Sequence, residues 1–472
     1  MKNIYIKKLF ASLFLAGFLL SCDVLDQPYY MGYDADAIFS DPEKVRSAAI
    51  GMYDAFQNAD FLGGRAQIYV DIRGMDVNPV SYFGSVSTHD GTLTAANGIV
   101  EGAWTGAYRT LFEINLFLEN ILSHTGVVSA EEEKRFVAEA KFLRAVVYFY
   151  LLNLWGQQYA GPSDNLGVPL VLRSFDGGNA FSDEAKIPRA TVGEVYDQII
   201  KDLKEAAADL PDKLNNAYEN ISRANANAVQ AFLSRVYLYR RQYAEAVEAA
   251  DKVTGYSLED DLAAKVFAYP PPVDNKEIIF FVAMSNTDNP NTNNALGQHY
   301  GADYRGDITV SANFLKLFEP NTSDTRFNLL KQKGGSYYCN KYANGSYNWA
   351  PVIRYAEVLL NKAEALAQQD AGISTAALGI INEIRDRSKA GKVPAFTEKK
   401  DFIDFILAER RRELAFEGHG SFDLFRNEKG IEAGRAAAAA AAIPYPNDLF
   451  ALPIPEADVT KSGGILIQNG GY

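Results

Sequence analysis

Two cysteines and four histidines in 472 residues leave little material for thiol or imidazole chemistry. The histidines stand at 89, 124, 299 and 419, none within a helical turn or two of another. That spacing excludes the usual zinc patterns. Phosphate-cradling G-x-x-x-x-G-K, dinucleotide-type G-x-G-x-x-G and the G-x-S-x-G nucleophile elbow are all missing, so nucleotide binding and serine hydrolysis have no sequence support. Basic residues are outnumbered, 46 Lys and Arg against 59 Asp and Glu. A chain this acidic lacks the footprint that nucleic acid requires. After the first twenty residues no apolar run approaches the roughly 18 residues of a membrane span.

The N-terminus is different. "MKNIYIKKLFASLFLAGFLLSC" places Lys2, Lys7 and Lys8 before an apolar stretch from Leu9 to Leu20. This is the layout of a secretory signal, with an apolar region too short to cross a bilayer. Cys22 directly follows the small Ser21, which resembles a bacterial lipobox whose cysteine becomes the acylated first residue. Residues 1–21 are expected to be a lipoprotein signal peptide. Their removal takes away three lysines and shifts the formal charge from -13 to -16. With lipid on Cys22, Cys339 has no partner for an intramolecular disulfide.

The mature chain, roughly 450 residues and nearly half apolar, is long enough for one to three domains. Helical periodicity dominates it. Val45, Ala49, Met52 and Phe56 mark one face of a helix over Glu43 to Gln57. Glu101 to Ser123 carries Trp104, Tyr108, Leu111 and Phe112 on its apolar side, and Trp104 is assigned to the core. "SAEEE" from Ser129 is a capping-box start for a helix that stops at Gly156. Thr191 to Leu210 is a further amphipathic helix. Between them, Phe61 to Gly98 has no sustained helical period and reads as loops with short strands. From Ser222 to Gly255, Leu233, Tyr237, Tyr243, Ala246 and Ala250 reproduce tetratricopeptide offsets, with alanines allowing close approach of antiparallel helices. Val352 to Gln369 with Thr375 to Arg387 forms a related pair. Such pairs stack because none can bury its apolar face alone. The fold class is therefore mainly α, a scaffold of stacked helix pairs with long irregular loops. Seven consecutive alanines, Ala436 to Ala442, carry no functional weight.

The loops are the candidates for function. Phe267 to Ile278, Ser285 to Gly306 and Lys331 to Pro351 are unusually long for a compact protein. Tyr82 and Phe83 sit in "NPVSYFGSVSTHDG", Tyr300 and Tyr304 in "QHYGADYRGD", and Tyr337, Tyr338, Tyr342, Tyr347 and Trp349 in "GGSYYCNKYANGSYNWAP". Sugar rings present an apolar C–H face and a hydroxyl rim, which flat aromatics flanked by polar side chains would suit. Tyr82, Phe83, Tyr300, Tyr304, Tyr347 and Trp349 are thus the expected ligand contacts. "SNTDNPNTNN" offers hard oxygen donors of the kind calcium takes, but lacks the glycine and terminal glutamate of an EF-hand. It reads as a solvated loop of turn formers. No cofactor or metal is implied.

"ERRRELAFEGHGSFDLFRN", Glu409 to Asn427, clusters arginines, glutamates, a histidine and an aspartate as an acid-base site would. Its period favours a helix end instead: Phe405, Ile406, Leu414 and Phe416 are apolar anchors, and Glu409 can reach Arg412, or Glu413 Arg410, within one turn. Gly418 and Gly420 bracket His419 where a helix would end. His419, Glu417 and Asp423 are therefore read as structural.

Together with "APVIRYAEVLLNKAEALA", "EAKFLRAVVYFYLLNLWG", "LPIPEADV", the "SCDVLDQ" start and the closing "IQNGGY", this stretch resembles the SusD/RagB family over nearly the whole chain. The resemblance implies a single SusD-like domain over residues 22–472, with an N-terminal half 22–265 and a C-terminal half 266–472. It implies a lipoprotein on the outer face of the outer membrane, for which Asp23 and Asp26 fit an acidic export signal. It further implies non-catalytic glycan capture and a partnership with a SusC-type TonB-dependent transporter. Peptide capture, a purely protein-binding helical scaffold and a surface hydrolase are the alternatives.

Overall fold

The computed structural model describes residues 35–157, 165–175, 182–319, 323–433 and 441–472. The expected signal peptide, Cys22 and residues 436–440 of the alanine run lie outside the described residues. Helix makes up 53% and strand 8% of the described residues, in keeping with a mainly α scaffold. No helix among the described residues is long and apolar enough to cross a membrane.

The longer helices begin where the sequence supplies side-chain acceptors for free N–H groups. Asp41 caps α1, Pro42–Phe56, whose Val45, Ala49, Met52 and Phe56 are all buried. Asn97 caps α3, Gly98–Ser123. Ser129 and Glu132 form the expected capping box of α4, Ala130–Trp155, and Gly156 ends it. Thr191 and Glu194 repeat that device at α5, Val192–Asp209. The tetratricopeptide-like stretch folds as α6, Ala226–Tyr239, and α7, Tyr243–Asp251, with Ala246, Ala249 and Ala250 buried in the cleft between neighbours. Next come α8, Tyr355–Gln369, and α9, Thr375–Arg387, then α10, Lys399–Leu414, and α11, Gly420–Arg426. From α3 to α9 each helix packs on the next in order, and α10 closes on α8.

Two segments depart from the expectation. Arg65–Ile72 is a helix, α2, with all eight residues buried, so no polar stripe betrays it in the sequence. Val352, Ile353 and Arg354 do not begin α8. They belong to strand β8, Ala350–Arg354, which pairs antiparallel with β4, Ile278–Val282, and both strands are buried throughout. Their continuous apolar runs make them indistinguishable by period from a buried helix. Three further antiparallel pairs complete the strands: β1, Val77–Pro79, with β5, Ile308–Val310; β2, Leu166–Pro169, with β3, Arg189–Thr191; and β6, Leu330–Lys333, with β7, Ser336–Cys339. One continuous core runs from Phe39 to Ile454, and a second lies where α8, α9 and α10 meet.

Two buried ionic networks occupy the space beneath α10 and α11. In the first, Arg354 donates to Glu417 (2.8 Å), Glu277 (2.5 Å) and Glu413 (2.8 Å). Lys341 donates to Glu417 at 2.6 Å and to the carbonyls of Glu413 and Ala415. Arg326, Arg385, Arg387 and Arg412 bind the remaining carboxylates, Asp324, Glu409 and Glu413. In the second, Arg235 pairs with Glu357, while Arg410 and Arg426 share Asp423 and Glu364. His419 lies at its edge, 3.5 Å from Glu357. The Glu409–Arg412 pair forms as expected, whereas Glu413 and Arg410 turn to partners in distant segments.

Candidate ligand-binding site

The networks bear on function because they hold the aromatic loops. After α10, Phe416 adopts φ 68° and Gly418 φ 82°, turning the chain back into α11. A Cβ at Gly418 would lie 2.9 Å from the Gln67 Cα in α2, so this turn demands glycine. Asp71, also in α2, accepts the N–H groups of Gly418 and Gly420, each at 3.3 Å, and the Tyr300 hydroxyl at 2.8 Å. Burial lifts the Asp71 carboxyl to about 7 despite these three donors. Tyr342 donates its hydroxyl to the Phe416 carbonyl at 2.7 Å. Two loops are thereby fastened to one turn, the first at Tyr300 and the second at Lys341 and Tyr342.

Beyond those anchors the loops reach the surface side by side. Gln298 donates to Ser346 at 3.1 Å, and the Tyr304 hydroxyl donates to the Ala343 carbonyl at 3.0 Å. A third segment joins them, because the Tyr82 ring stacks on the His299 ring at 6.0 Å and 14°. Tyr82, Tyr304 and Tyr347 remain 36, 43 and 39% exposed. Tyr269 flanks Tyr347 at 5.6 Å. Two arginine guanidinium groups lie over the Tyr82 ring, Arg65 5.6 Å and Arg305 5.2 Å from its centre. Arg65 donates to the Tyr82 hydroxyl at 2.7 Å and to Asp60 at 2.8 Å. Arg305 donates through Nε to Asp307 and through Nη1 to Asn293, both at 2.7 Å. His299 is wholly buried, and burial outweighs its Asp307 contact to hold it below the ordinary imidazole value.

Of the six aromatics expected to meet ligand, Tyr82, Tyr304 and Tyr347 are exposed on these loops. Phe83 and Tyr300 are corrected to core residues, 0 and 1% exposed. Phe83 sets its edge against His299 at 4.8 Å, beneath the exposed Tyr82, and Tyr300 points at Asp71. Trp349 is half-buried, its indole N–H given to the Met284 carbonyl at 2.9 Å and its ring beside the exposed Tyr218. Arg65, Arg305 and Tyr218 went unremarked in the sequence. Arg65 in particular meets Asn293 across 228 residues, a proximity no local pattern encodes. The "SNTDNPNTNN" loop spends oxygens on its own turns, Asn289 accepting from Asn291 N and Asn291 from Asn293 N. Among the described residues no three His, Cys, Asp or Glu side chains gather as a metal site would require.

The acid-base suspicion raised by the arginine-rich stretch does not survive its surroundings. Burial presses the His419 imidazole down to about 4, so it is neutral at physiological pH. Burial alone would raise Glu417, but Arg354 and Lys341 together bring it below the usual carboxylate range. Asp423 is likewise held down, Arg410 and Arg426 outweighing burial.

A stack of helix pairs carrying long aromatic loops pinned from below is the architecture of a helical-repeat scaffold protein. Comparison with known proteins places it more closely. Residues 25–238 match a family model described as SusD-like, starch-binding and associating with the outer membrane, and residues 298–472 match the SusD family. The chain belongs to the SusD/RagB family. SusD-like protein P2 of Formosa agariphila is 25% identical over 96% of this chain and 97% of its own. A Bacteroides fragilis SusD superfamily structure superimposes with a TM-score of 0.80, at 26% identity, over 90% of this chain and 99% of that one. A Bacteroides vulgatus protein named for sugar binding superimposes with a TM-score of 0.79, at 25% identity, over 91 and 98%.

Proposed function

We propose that the protein captures an oligo- or polysaccharide at the Tyr82, Tyr304 and Tyr347 surface and delivers it, uncleaved, to a SusC-type TonB-dependent transporter. Lipid on Cys22 would hold it to the outer membrane, facing the exterior. The observation that carries the reading is the exposure of Tyr82, Tyr304 and Tyr347 on loops pinned from below, with the partly exposed Arg305 guanidinium over the Tyr82 ring. A sugar's C–H face stacks on such a ring while flanking N–H groups bond its hydroxyls. Tyr304 and Tyr347 extend the same face for further units. The contacts replace water with like partners on an open surface, so affinity is modest and release easy, as transfer to a transporter requires. The names of its relatives, starch-binding and sugar-binding, support the same ligand class.

The test is a glycan array followed by titration calorimetry with the soluble mature chain. Binding to one or more glycans, with no new reducing ends over hours, supports the proposal. Steady release of reducing ends would make the protein a hydrolase. Failure with every glycan alongside binding of oligopeptides would make it a peptide-capture protein. Co-purification of a TonB-dependent transporter with the lipidated chain solubilised from the membrane would support the partnership, and its absence would refute it.

A further inference from the structure

We infer that the preferred ligand is an acidic saccharide, one carrying carboxylate or sulfate groups, and that Arg305 with Lys331 and Lys333 reads the charge. The inference rests on the glycan-capture reading and specifies its substrate class.

The argument is a census of donors and acceptors around the exposed rings. Asp307 Oδ2 already meets both His299 Nδ1 (2.8 Å) and Arg305 Nε (2.7 Å). Asp303, next to Tyr304, is engaged by the ammonium groups of both Lys331 and Lys333. Asp60 accepts from Arg65 and from the Asn294 amide. Each of the three carboxylates beside the rings thus already faces a protein cation, Asp60 through Oδ1 and Asp307 through Oδ2. The cations are not exhausted in return. Arg305 uses Nε and Nη1 and leaves Nη2 without a protein hydrogen bond, on a side chain 28% exposed beside the Tyr82 ring. Lys331 and Lys333, 42 and 56% exposed, each carry three N–H bonds and spend only part of them on Asp303 and the Ala302 carbonyl. Arg65, by contrast, is nearly sealed from solvent and serves to orient Tyr82.

Counted by charge, Arg65, Arg305, Lys331 and Lys333 face Asp60, Asp303 and Asp307, with His299 held neutral by burial. One positive charge is left over on a chain whose total is -13. What the surface offers is thus one cation more than carboxylates, with each carboxylate already facing a cation of the protein. A neutral sugar hydroxyl can serve as donor or acceptor, whereas a carboxylate or sulfate only accepts. A uronate or sulfated ring stacked on Tyr82 or Tyr304 would direct its anion at Arg305 Nη2 or at the two ammonium groups.

Matched polymers separate charge from backbone: polygalacturonate against its methyl ester, and carrageenan against its desulfated form, beside neutral glucans, mannans and xylans. On an array these are expected to place the hits among the acidic members, and the uronate and sulfate arms decide which anion is read. By calorimetry, neutralising the bound polymer should weaken binding on the order of tenfold, and raising salt should weaken only the charged form, since exposed charges are screened. Arg305→Gln should erase the difference between charged and neutralised forms, and Arg305→Lys should restore part of it. Should Arg305→Gln disturb its loop, read by the melting temperature, the exposed Lys331→Gln and Lys333→Gln pair gives the same readout. Binding confined to neutral glycans and indifferent to salt and to these variants would overturn the inference while leaving glycan capture standing. No binding to any glycan would overturn both.

Discussion

Glu417→Gln tests whether the arginine-rich stretch is structural. The Glu417 carboxylate is 4% exposed and accepts three charge-assisted bonds, from Lys341 Nζ at 2.6 Å and from Arg354 Nε and Nη2 at 2.8 and 2.9 Å. An amide retains one oxygen and aims its NH2 group at a cation. The surrounding network has five carboxylates, Asp324, Glu277, Glu409, Glu413 and Glu417, for six cations, Arg326, Lys341, Arg354, Arg385, Arg387 and Arg412. Neutralising one acid widens an existing excess of buried positive charge. Breaking a buried pair in this way costs about 3–5 kcal/mol, a sizeable share of the roughly 5–15 kcal/mol that holds a domain folded. The midpoint of guanidinium denaturation should fall accordingly. Lys341→Met in the same chain removes the opposing charge and should recover part of the loss, which a double-mutant cycle quantifies. A variant that lost ligand-directed activity while keeping stability within about 1 kcal/mol of the parent would refute the structural assignment.

Other outcomes follow from the same geometry. Asp71, raised to about 7 by burial, favours folding in its protonated form. Its contribution is complete below pH 4, the unfolded value, and is lost as pH rises through 7, at up to about 1.4 kcal/mol per pH unit. Urea denaturation across pH 4–8 should show this slope, and Asp71→Asn should flatten it. Gly418→Ala forces a side chain into φ 82° and against Gln67, and should lower stability by at least about 1–3 kcal/mol, read by thermal denaturation. Tyr82→Ala with Tyr304→Ala should abolish glycan binding in calorimetry while the melting temperature stays within about 4 °C of the parent, because both rings are over a third exposed. A larger drop would make them packing residues.

The sequence was most legible where an element has two unlike sides. Helices α1, α3, α5 and α7 each expose part of their surface, so their apolar period declared them, whereas the capping box declared α4 and the tetratricopeptide offsets declared the nearly buried α6. Helix α2 has no exposed side and passed as loop, and β8 was absorbed into the helix that follows it. The same principle divides the aromatics. Tyr300 and Tyr304 lie four residues apart in one loop, yet one is 1% and the other 43% exposed. Without a sustained period, nothing local tells which way a loop side chain turns. The difference is set by Asp71 and Ala343, which arrive from far along the chain.

That division has an evolutionary consequence. Tyr300 and Tyr342 are nailed to the turn at Phe416 to Gly420, while Tyr304 and Tyr347 lie four and five residues beyond them. The short spans beyond them bear the proposed ligand surface. Mutation can therefore redraft what the protein recognises a few positions at a time, with the posts on either side keeping each new loop in register. A scaffold partitioned in this way can change diet without first relearning how to fold.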